Sequence, residues 1–220
     1  MDTTMPDYSH EQRLGASQGA RIIGIDEAGR GPWAGPVIAA AVWLDPTGLP
    51  PELLAGLNDS KKLSEAKRAT LEARLLAIGQ TPGGEKLLRF GLGAASATEI
   101  DALNILQATF LAMRRAAEQI SLEIDAALID GNKSPKLPYP CHPLIKGDGK
   151  SFSIAAASIL AKTHRDRLMV RLATRYPGYG WERNKGYGTR AHQAALVQLG
   201  TTPEHRRSFR PIRETLGLSY

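Results

Sequence analysis

The amino-acid sequence predicts an α/β protein built around a mixed β-sheet, and three observations lead to this fold class. Short apolar runs with strand character alternate along the chain with longer segments of helical periodicity. The link between the first two runs, residues 28–36, is rich in Gly and Pro, which is typical of a turn between antiparallel neighbours. Hydrophobic and charged contents of 42% and 23% are ordinary for a globular domain, so neither disorder nor a coiled coil is indicated.

Four segments are predicted to be strands. Isoleucine and valine favour extended backbone in the first two, and turn residues close them. In chain order, the predicted strands are residues 21–27, 37–44, 87–92 and 126–129. A proline-rich loop, 134–143, follows the last of them.

Helical spacing of apolar residues predicts the helices. A capping box, Ser96 with Glu99 three residues later, opens the second of them. The third is rich in Ala and Ser in its first half, so it can pack close to a sheet. The predicted helices are 64–78, one that begins after Ser96 and continues through Ala117, 154–176 and 191–199.

The length of 220 residues fits one domain with a small appendage. We expect residues 1–20 to form a flexible leader and residues 21–220 to form a single domain with a basic, helical and looped C-terminal extension. Because the start is polar and no apolar run is long enough to cross a bilayer, we expect a soluble cytoplasmic protein. Cys141 is the only cysteine, which excludes an internal disulfide and a thiolate zinc cluster.

Four carboxylates fall at or near the ends of predicted elements: Asp26, Glu27, Asp130 and Asp148. The ends of neighbouring strands can meet in space, and clustered carboxylates repel one another unless a cation joins them. Ligand hardness favours Mg²⁺ or Mn²⁺, and two such ions about 4 Å apart would clamp both reacting oxygens of a phosphodiester. The alternative is that these are turn and capping residues. Since adjacent strand residues point to opposite faces, Asp26 and Glu27 are expected to have different roles.

The net charge of +6 and the isoelectric point of about 9.5 make a polyanion a plausible partner, with nucleic acid first. Near the C-terminus, basic residues interleave with aromatic ones, a pattern that suits phosphates together with sugars or bases. The alternative is a solvated basic tail. On the third helix, Ser158 and Lys162 are four residues apart and share a face. Lys162 either serves the site or pairs with an acid.

Taken together, an ordered set of segments closely resembles the bacterial ribonuclease HII family, the type 2 ribonucleases H. The matching segments cover roughly residues 21–210 and are Asp26-Glu27-Ala28-Gly29-Arg30-Gly31-Pro32, Asp59-Ser60-Lys61-Lys62-Leu63, Glu99-Ile100-Asp101 with Asn104-Ile105-Leu106, Ile129-Asp130-Gly131-Asn132, Lys146-Gly147-Asp148, Ala156-Ala157-Ser158-Ile159-Leu160-Ala161-Lys162, Arg165-Asp166, Lys185-Gly186-Tyr187-Gly188-Thr189 with His192, and His205-Arg206-Arg207-Ser208-Phe209.

The resemblance implies a ribonuclease H-like fold, a mixed central sheet flanked by helices. It implies cleavage of RNA within RNA·DNA hybrids, and of duplex DNA 5′ to single embedded ribonucleotides, leaving 3′-hydroxyl and 5′-phosphate ends. Asp26, Glu27, Asp130 and Asp148 match the family's catalytic metal ligands, for two Mg²⁺ or Mn²⁺ ions. We expect a monomer and no membrane partner.

The resemblance also implies substrate-binding residues. Gly29, Arg30 and Gly31 match the motif that reads the 2′-hydroxyl of the scissile ribonucleotide. Tyr187 matches the tyrosine that packs at the RNA-to-DNA junction. Three basic residues are expected to contact phosphates: Lys61, Lys185 and Arg206.

Two other functions remain open from the sequence. One is a non-catalytic hybrid-binding module on the same fold, which would have no use for all four carboxylates. The other is a DNA-directed nuclease or recombinase of the same superfamily, which leaves the segment Gly29-Arg30-Gly31 unexplained.

Overall fold

The fold is described from a computed structural model, which covers residues 5–58, 60 and 63–218. Within it lies a mixed five-stranded sheet. The strands are β1 (Ile22–Ala28), β2 (Val37–Leu44), β3 (Leu88–Ala95), β4 (Ala126–Asp130) and β5 (Cys141–Leu144). Their spatial order is β3-β2-β1-β4-β5. β1–β2 and β2–β3 are antiparallel, whereas β1–β4 and β4–β5 are parallel, so the predicted mixed sheet is confirmed.

Helices lie on both faces of this sheet. They are α1 (Ser9–Arg13), α2 (Pro51–Leu54), α3 (Glu65–Gln80), α4 (Ala97–Leu103), α5 (Ile105–Glu118), α6 (Phe152–Arg175), α7 (Trp181–Asn184), α8 (Arg190–Leu199) and α9 (Arg210–Thr215). None of the helices in the described ranges is long and apolar enough to cross a membrane.

Alternate side chains of β2 belong to two different cores, as the two-residue period of a strand requires. Ala40, Val42 and Leu44 pack with the alanine-rich start of α6 and with α3 on one face. Ala39 and Ala41 pack with α5 on the other face. The sheet is therefore buried on both sides, which explains why β2 is continuously apolar rather than alternating.

Close contact between α6 and β1 depends on Gly24. A Cβ atom at this position would lie 2.3 Å from the backbone nitrogen of Ile154. Because glycine lacks that atom, the first turn of α6 rests directly on the strand, two residues before Asp26. The fold thus places the start of its longest helix beside the first predicted carboxylate.

Two elements differ from the sequence expectation. The helix predicted to run on from Ser96 is broken at Asn104, whose φ of 68° is left-handed and whose side chain accepts from the N–H groups of Leu106 and Gln107. The Asn104 side chain thus caps the new helix, α5. The predicted proline-rich loop overlaps β5 at residues 141–143, with Pro143 in a strand at the edge of the sheet, where a missing N–H is tolerated.

The expectation of a flexible leader is wrong for the part of it that the structure describes. Residues 5–20 include α1 and a 3₁₀ turn at Ala16–Gln18. Glu11 is completely buried, and it accepts hydrogen bonds from Ser151 and Ser153. The polar sequence of this segment suggested solvent exposure because the partners that bury Glu11 could not be recognised from the sequence. They lie 140 residues and more along the chain.

Glu99 should make a pH-dependent contribution to stability. Hydrogen bonds from the Arg115 guanidinium, and then from the Ser96 backbone, lower the pKa of Glu99 to about 2. Since the folded pKa lies below the unfolded one, the contribution is complete above about pH 4.5 and is lost as the pH falls towards 2. Glu99→Gln should cost about 1 kcal/mol at pH 7, reduced from the full electrostatic value because the pair is partly solvated. Urea denaturation of both proteins at pH 7 and pH 2.5 measures the difference.

The matched control for this prediction is Glu52→Gln, since Glu52 pairs with Arg74 at an exposed position. That variant should show little pH-dependent difference from the wild type. A deficit of Glu99→Gln that stays constant down to pH 2.5 would contradict the electrostatic origin.

Candidate active site

The fold brings the predicted carboxylates together at the C-terminal ends of two neighbouring parallel strands. Asp26 and Glu27 stand near the end of β1, and Asp130 ends β4. The two strands are parallel with Ile25 opposite Ile129, so Asp26 and Asp130 follow at the same level. Asp148 lies in a 3₁₀ turn just before α6, and the N–H of Gly147 donates to Asp130 Oδ1 at 2.7 Å. That hydrogen bond ties the turn to the strand end.

The charges of the other three carboxylates act on Asp26. It is only 4% exposed, and its pKa is raised well above the usual value, first by burial and then by the charges of Glu27, Asp130 and Asp148. A hydrogen bond from the Ser158 hydroxyl acts in the opposite direction. Ser158 is itself 2.8 Å from the Ser60 hydroxyl. The cluster is therefore a place where negative charge is concentrated and desolvated.

The donor chemistry of this cluster fits a hard divalent cation, because carboxylate oxygens are the ligands that Mg²⁺ and Mn²⁺ prefer. A cation would also relieve the repulsion that raises the pKa of Asp26. In the described ranges, however, no three or more His, Cys, Asp and Glu residues are arranged so that they could hold a metal ion. The structure thus brings the carboxylates together as neighbours, without the arrangement of a finished ligand shell.

Two cavities adjoin the cluster. The first, of about 250 Å³, is lined by Asp26 and by the loop Gly29–Gly31. The second, of about 310 Å³, is lined by Asp130 and by α5. Glu27 and Arg30 line both, and an ion pair of 3.3 Å joins them. Asp26 and Glu27 share the first cavity, and only Glu27 also lines the second. That the two carboxylates have different roles stays a prediction.

The loop after β1 is held from behind by two buried arginines. Arg206 donates to the carbonyl oxygens of Gly29 at 2.6 Å, Arg30 at 2.9 Å and Gly35 at 3.0 Å. Arg165 donates to three further carbonyls, at distances of 3.0–3.2 Å, those of Ala34, Pro36 and Lys185. Burial lowers the pKa of Arg165 to about 10 and that of Arg206 to about 9, so both remain cationic at neutral pH. Together they fix the shape of the loop that lines the first cavity.

The expectation that Arg206 contacts a phosphate is wrong for this structure. Its side chain is 0% exposed, and its guanidinium is used on the protein backbone. A basic run such as Arg206-Arg207 does not reveal which member is buried. Arg165 was part of a recognised motif, but no local pattern indicated its contacts, which reach back about 130 residues.

Gly29 and Gly31 are glycines for different reasons. Gly29 has a left-handed φ of 99°, and a Cβ atom there would lie 2.0 Å from Arg165 Nε. At Gly31 a Cβ atom would be 3.6 Å from Tyr187 Cε1, which is an ordinary contact. Gly29 is therefore required by the fold, whereas Gly31 leaves open space beside Tyr187 in the first cavity.

Tyr187 lines the first cavity and is 47% exposed. Its backbone is held by a chain of hydrogen bonds through two buried histidines. The N–H of Thr202 donates to His205 Nδ1 at 2.9 Å, so the proton of neutral His205 is on Nε2. That atom faces His192 Nε2 at 3.1 Å, which also accepts from Trp181 Nε1. His192 Nδ1 is left to donate to the Tyr187 carbonyl at 3.0 Å.

The remaining predicted residues have simpler outcomes. Lys162 lines the first cavity and pairs with both oxygens of Asp166, at 2.6 and 2.7 Å. Lys185 is partly exposed with a left-handed φ of 51°, and its Nζ donates to the Glu182 carbonyl at 2.5 Å. Lys61 lies outside the described residues.

Comparison with known proteins agrees with this geometry. A family model described as Ribonuclease HII matches residues 23–212. Ribonuclease HII of Rhodospirillum rubrum is 56% identical over 215 residues, which covers 98% of this chain and 94% of that protein.

Solved structures support the fold class. Ribonuclease H2 from Pyrococcus horikoshii OT3 superposes with a TM-score of 0.70 at 23% identity, over 89% of this chain and 96% of that one. Bst-RNase HIII in complex with Mn²⁺ superposes with a TM-score of 0.70 at 18% identity, over 94% and 71%. These likenesses confirm the predicted mixed sheet with flanking helices.

Acid should loosen the histidine chain. Burial and the neighbouring His192 lower the pKa of His205 to about 4, and burial also lowers that of His192. Below about pH 6.5 the unfolded chain then binds more protons than the folded one, so stability falls as the pH drops from 6.5 towards 4. His205 alone contributes at most on the order of 3 kcal/mol to this loss. Urea denaturation across this range measures it.

His205→Asn is the informative variant, since its side-chain oxygen can still accept from Thr202 without taking up a proton. It should show a flatter decline than the wild type below pH 6.5. The variant lacks the group whose pKa is lowered to about 4, so profiles that run parallel to the wild type would refute the assignment.

Proposed function

The chain belongs to the ribonuclease HII family, and on that premise we propose that it is a metal-dependent endoribonuclease of RNA·DNA hybrids that also cuts 5′ to single ribonucleotides in duplex DNA. One observation carries this proposal. Asp26, buried among three other carboxylates, opens into the same cavity that Gly29–Gly31 and Tyr187 line. A centre for phosphodiester hydrolysis thus adjoins a surface that can inspect the sugar.

Asp26, Glu27, Asp130 and Asp148 would hold Mg²⁺ or Mn²⁺, with two ions per site. When bound, such ions would neutralise phosphate charge and lower the pKa of bound water. Water would add to phosphorus and the bond from phosphorus to O3′ would break, which leaves 3′-hydroxyl and 5′-phosphate ends. The protein's own contribution is to keep the carboxylate oxygens in place. Ser158 orients Asp26 by hydrogen bonding, and Gly147 orients Asp130. Glu27 would exchange its contact with Arg30 for the cation.

The loop Gly29–Gly31 would read the 2′-hydroxyl. A protein distinguishes a hydroxyl from a hydrogen only by close polar contact, and glycine lets backbone atoms come within hydrogen-bonding distance. Arg206 and Arg165 stiffen the loop from its buried side, so its backbone groups cannot move to find other partners when a deoxyribose leaves them without the 2′-hydroxyl. Tyr187 would pack against the sugar next to the ribonucleotide, and Lys185 would contact a phosphate.

The direct test uses an end-labelled DNA duplex that contains one ribonucleotide, beside an all-DNA duplex, with Mg²⁺ and with EDTA. We expect one cut, 5′ to the ribonucleotide, only with metal. Binding without cleavage would favour a non-catalytic hybrid-binding module. Equal cleavage of both duplexes would favour a DNA-directed nuclease.

Asp26→Asn and Asp130→Asn should each lower kcat by about 10³-fold or more, because several kcal/mol of charge stabilisation are lost. The fold should survive, since each change removes charge from a repulsive cluster. Single-turnover cleavage and thermal unfolding measure the two effects. Asp125→Asn is the control: Asp125 accepts from the Arg21 N–H at the opposite end of β1, away from the cluster. Wild-type rates in either site variant would refute the ligand assignment.

Gly31→Ala should keep a Tm close to the wild type, because its Cβ fits beside Tyr187. It should slow cleavage at a single ribonucleotide by about 10²-fold, since the added methyl group displaces the sugar from the loop. Gly29→Ala should instead lose about 1–3 kcal/mol of stability from its left-handed φ, and more from the clash with Arg165. Thermal unfolding separates the two variants. Unchanged cleavage by Gly31→Ala would argue against a sugar contact at this loop.

A further inference from the structure

The segment before β1 is attached to the start of α6. We call residues 5–13 the N-terminal strap. The N–H of Asp7 donates to the Lys150 carbonyl at 3.1 Å, and the N–H of Phe152 donates to the Asp7 carbonyl at 3.0 Å. These two bonds form a parallel β-bridge between Asp7 and Ser151. The strap therefore holds the chain at the residues that lead from the Asp148 turn into the helix.

Glu11 adds a second attachment at the same place. Its Oε1 accepts from the hydroxyls of Ser151 and Ser153, both at 2.6 Å, and from the Ser153 N–H at 3.1 Å. The residue is completely buried, and none of the described residues donates to its Oε2. A carboxylate at this end of a long helix is favoured by the helix dipole. Because three donors at the start of α6 converge on Glu11 Oε1, the position of the helix start relative to the strap is fixed.

The attachment of the strap to α6 helps to position the turn that carries Asp148. The turn that carries Asp148 is tied to Asp130 at Gly147 and to the strap at Lys150 and Ser151. Asp148 lies between these two anchors. A shift at the strap therefore moves Asp148 relative to Asp130.

The same shift reaches Asp26 through α6. The first turn of the helix rests on Gly24 of β1, and Ser158, in its second turn, hydrogen bonds to Asp26. Gly24 holds the helix on the sheet side, and Glu11 holds it from the strap side. Two of the four carboxylates thus depend on where α6 begins.

We propose that Glu11 is a positioning residue for the carboxylate cluster, setting the spacing of Asp148 and Asp26 that a divalent cation requires. This rests on the proposed function for the identity of the cluster. A purely structural capping role for Glu11 would cost stability alone. A positioning role also weakens metal binding and lowers kcat, while the KM for duplex is unchanged because the strap does not line the first cavity.

The test compares wild type, Glu11→Ala and Glu11→Gln. Two measurements do not depend on turnover: the rise in Tm on titration with Mg²⁺, and hydrogen exchange of residues 146–153. For Glu11→Ala we expect a 10- to 100-fold higher Mg²⁺ concentration for half of the Tm rise, of the order found when supporting residues of metal sites are removed. Exchange should quicken at 146–153. Glu11→Gln should recover most of both, because its amide oxygen can still accept the three donors.

Glu72→Ala is the matched control. Glu72 is also a buried glutamate, and it accepts from Arg167 farther along the same helix. Its loss should lower Tm without changing the Mg²⁺ requirement or exchange at 146–153. If Glu11→Ala fails to fold, Glu11→Asp, which withdraws the carboxylate by one methylene, is judged by the same two quantities.

The proposal is overturned if the Glu11 variants lose Tm but keep the wild-type Mg²⁺ requirement. It is also overturned if Glu72→Ala raises that requirement equally. Failure of the wild type to cleave any ribonucleotide-containing duplex would refute the proposed function instead. In that case the Mg²⁺ and exchange measurements still decide the role of Glu11.

Discussion

Repulsion between the buried Asp26 and its neighbouring carboxylates is the constraint on which the rest of this structure depends. The parallel pairing of β1 with β4 brings Asp26 and Asp130 to the same level, and burial of Asp26 removes the water that would screen its charge. Such an arrangement costs free energy in the absence of a cation. The surrounding elements must therefore hold the strand ends in place against this repulsion. The hydrogen bonds at Gly147 and Ser158 contribute to this restraint.

The loop Gly29–Gly31 is held by charge of the opposite sign. Arg165 and Arg206 are buried without a hydrogen-bonded carboxylate among the described contacts, and six backbone carbonyls receive their N–H groups instead. Carbonyl acceptors satisfy a guanidinium without neutralising it. The loop is consequently rigid, while its supporting cations remain behind it. Rigid backbone is what discrimination of one hydroxyl needs, because a flexible loop would adapt to either sugar.

The elements that the sequence predicted well are those whose signals are local. β2 was found with its observed bounds because its apolar run is uninterrupted, and the capping box at Ser96 and Glu99 is present in the structure. The break at Asn104 was missed because apolar spacing continues across it. The carboxylates were found because each ends an apolar run or stands before a helix. Glu11, Arg206 and His205 were misjudged or passed over because their partners are distant in sequence, and nothing in the neighbouring residues reports burial.

The basic side chains near the carboxylate cluster are paired with another carboxylate, Asp166, so the negative charge of the cluster is left for a metal ion. Lys162 lines the cavity of Asp26, but its ammonium is bound by both oxygens of Asp166. Arg68 lies 3.8 Å from the same carboxylate. Asp166 thus holds both cations in ion pairs, and neither is among the charges that act on the pKa of Asp26. Asp166 therefore keeps the cluster negative, and this follows from a pair of residues one helical turn apart on α6.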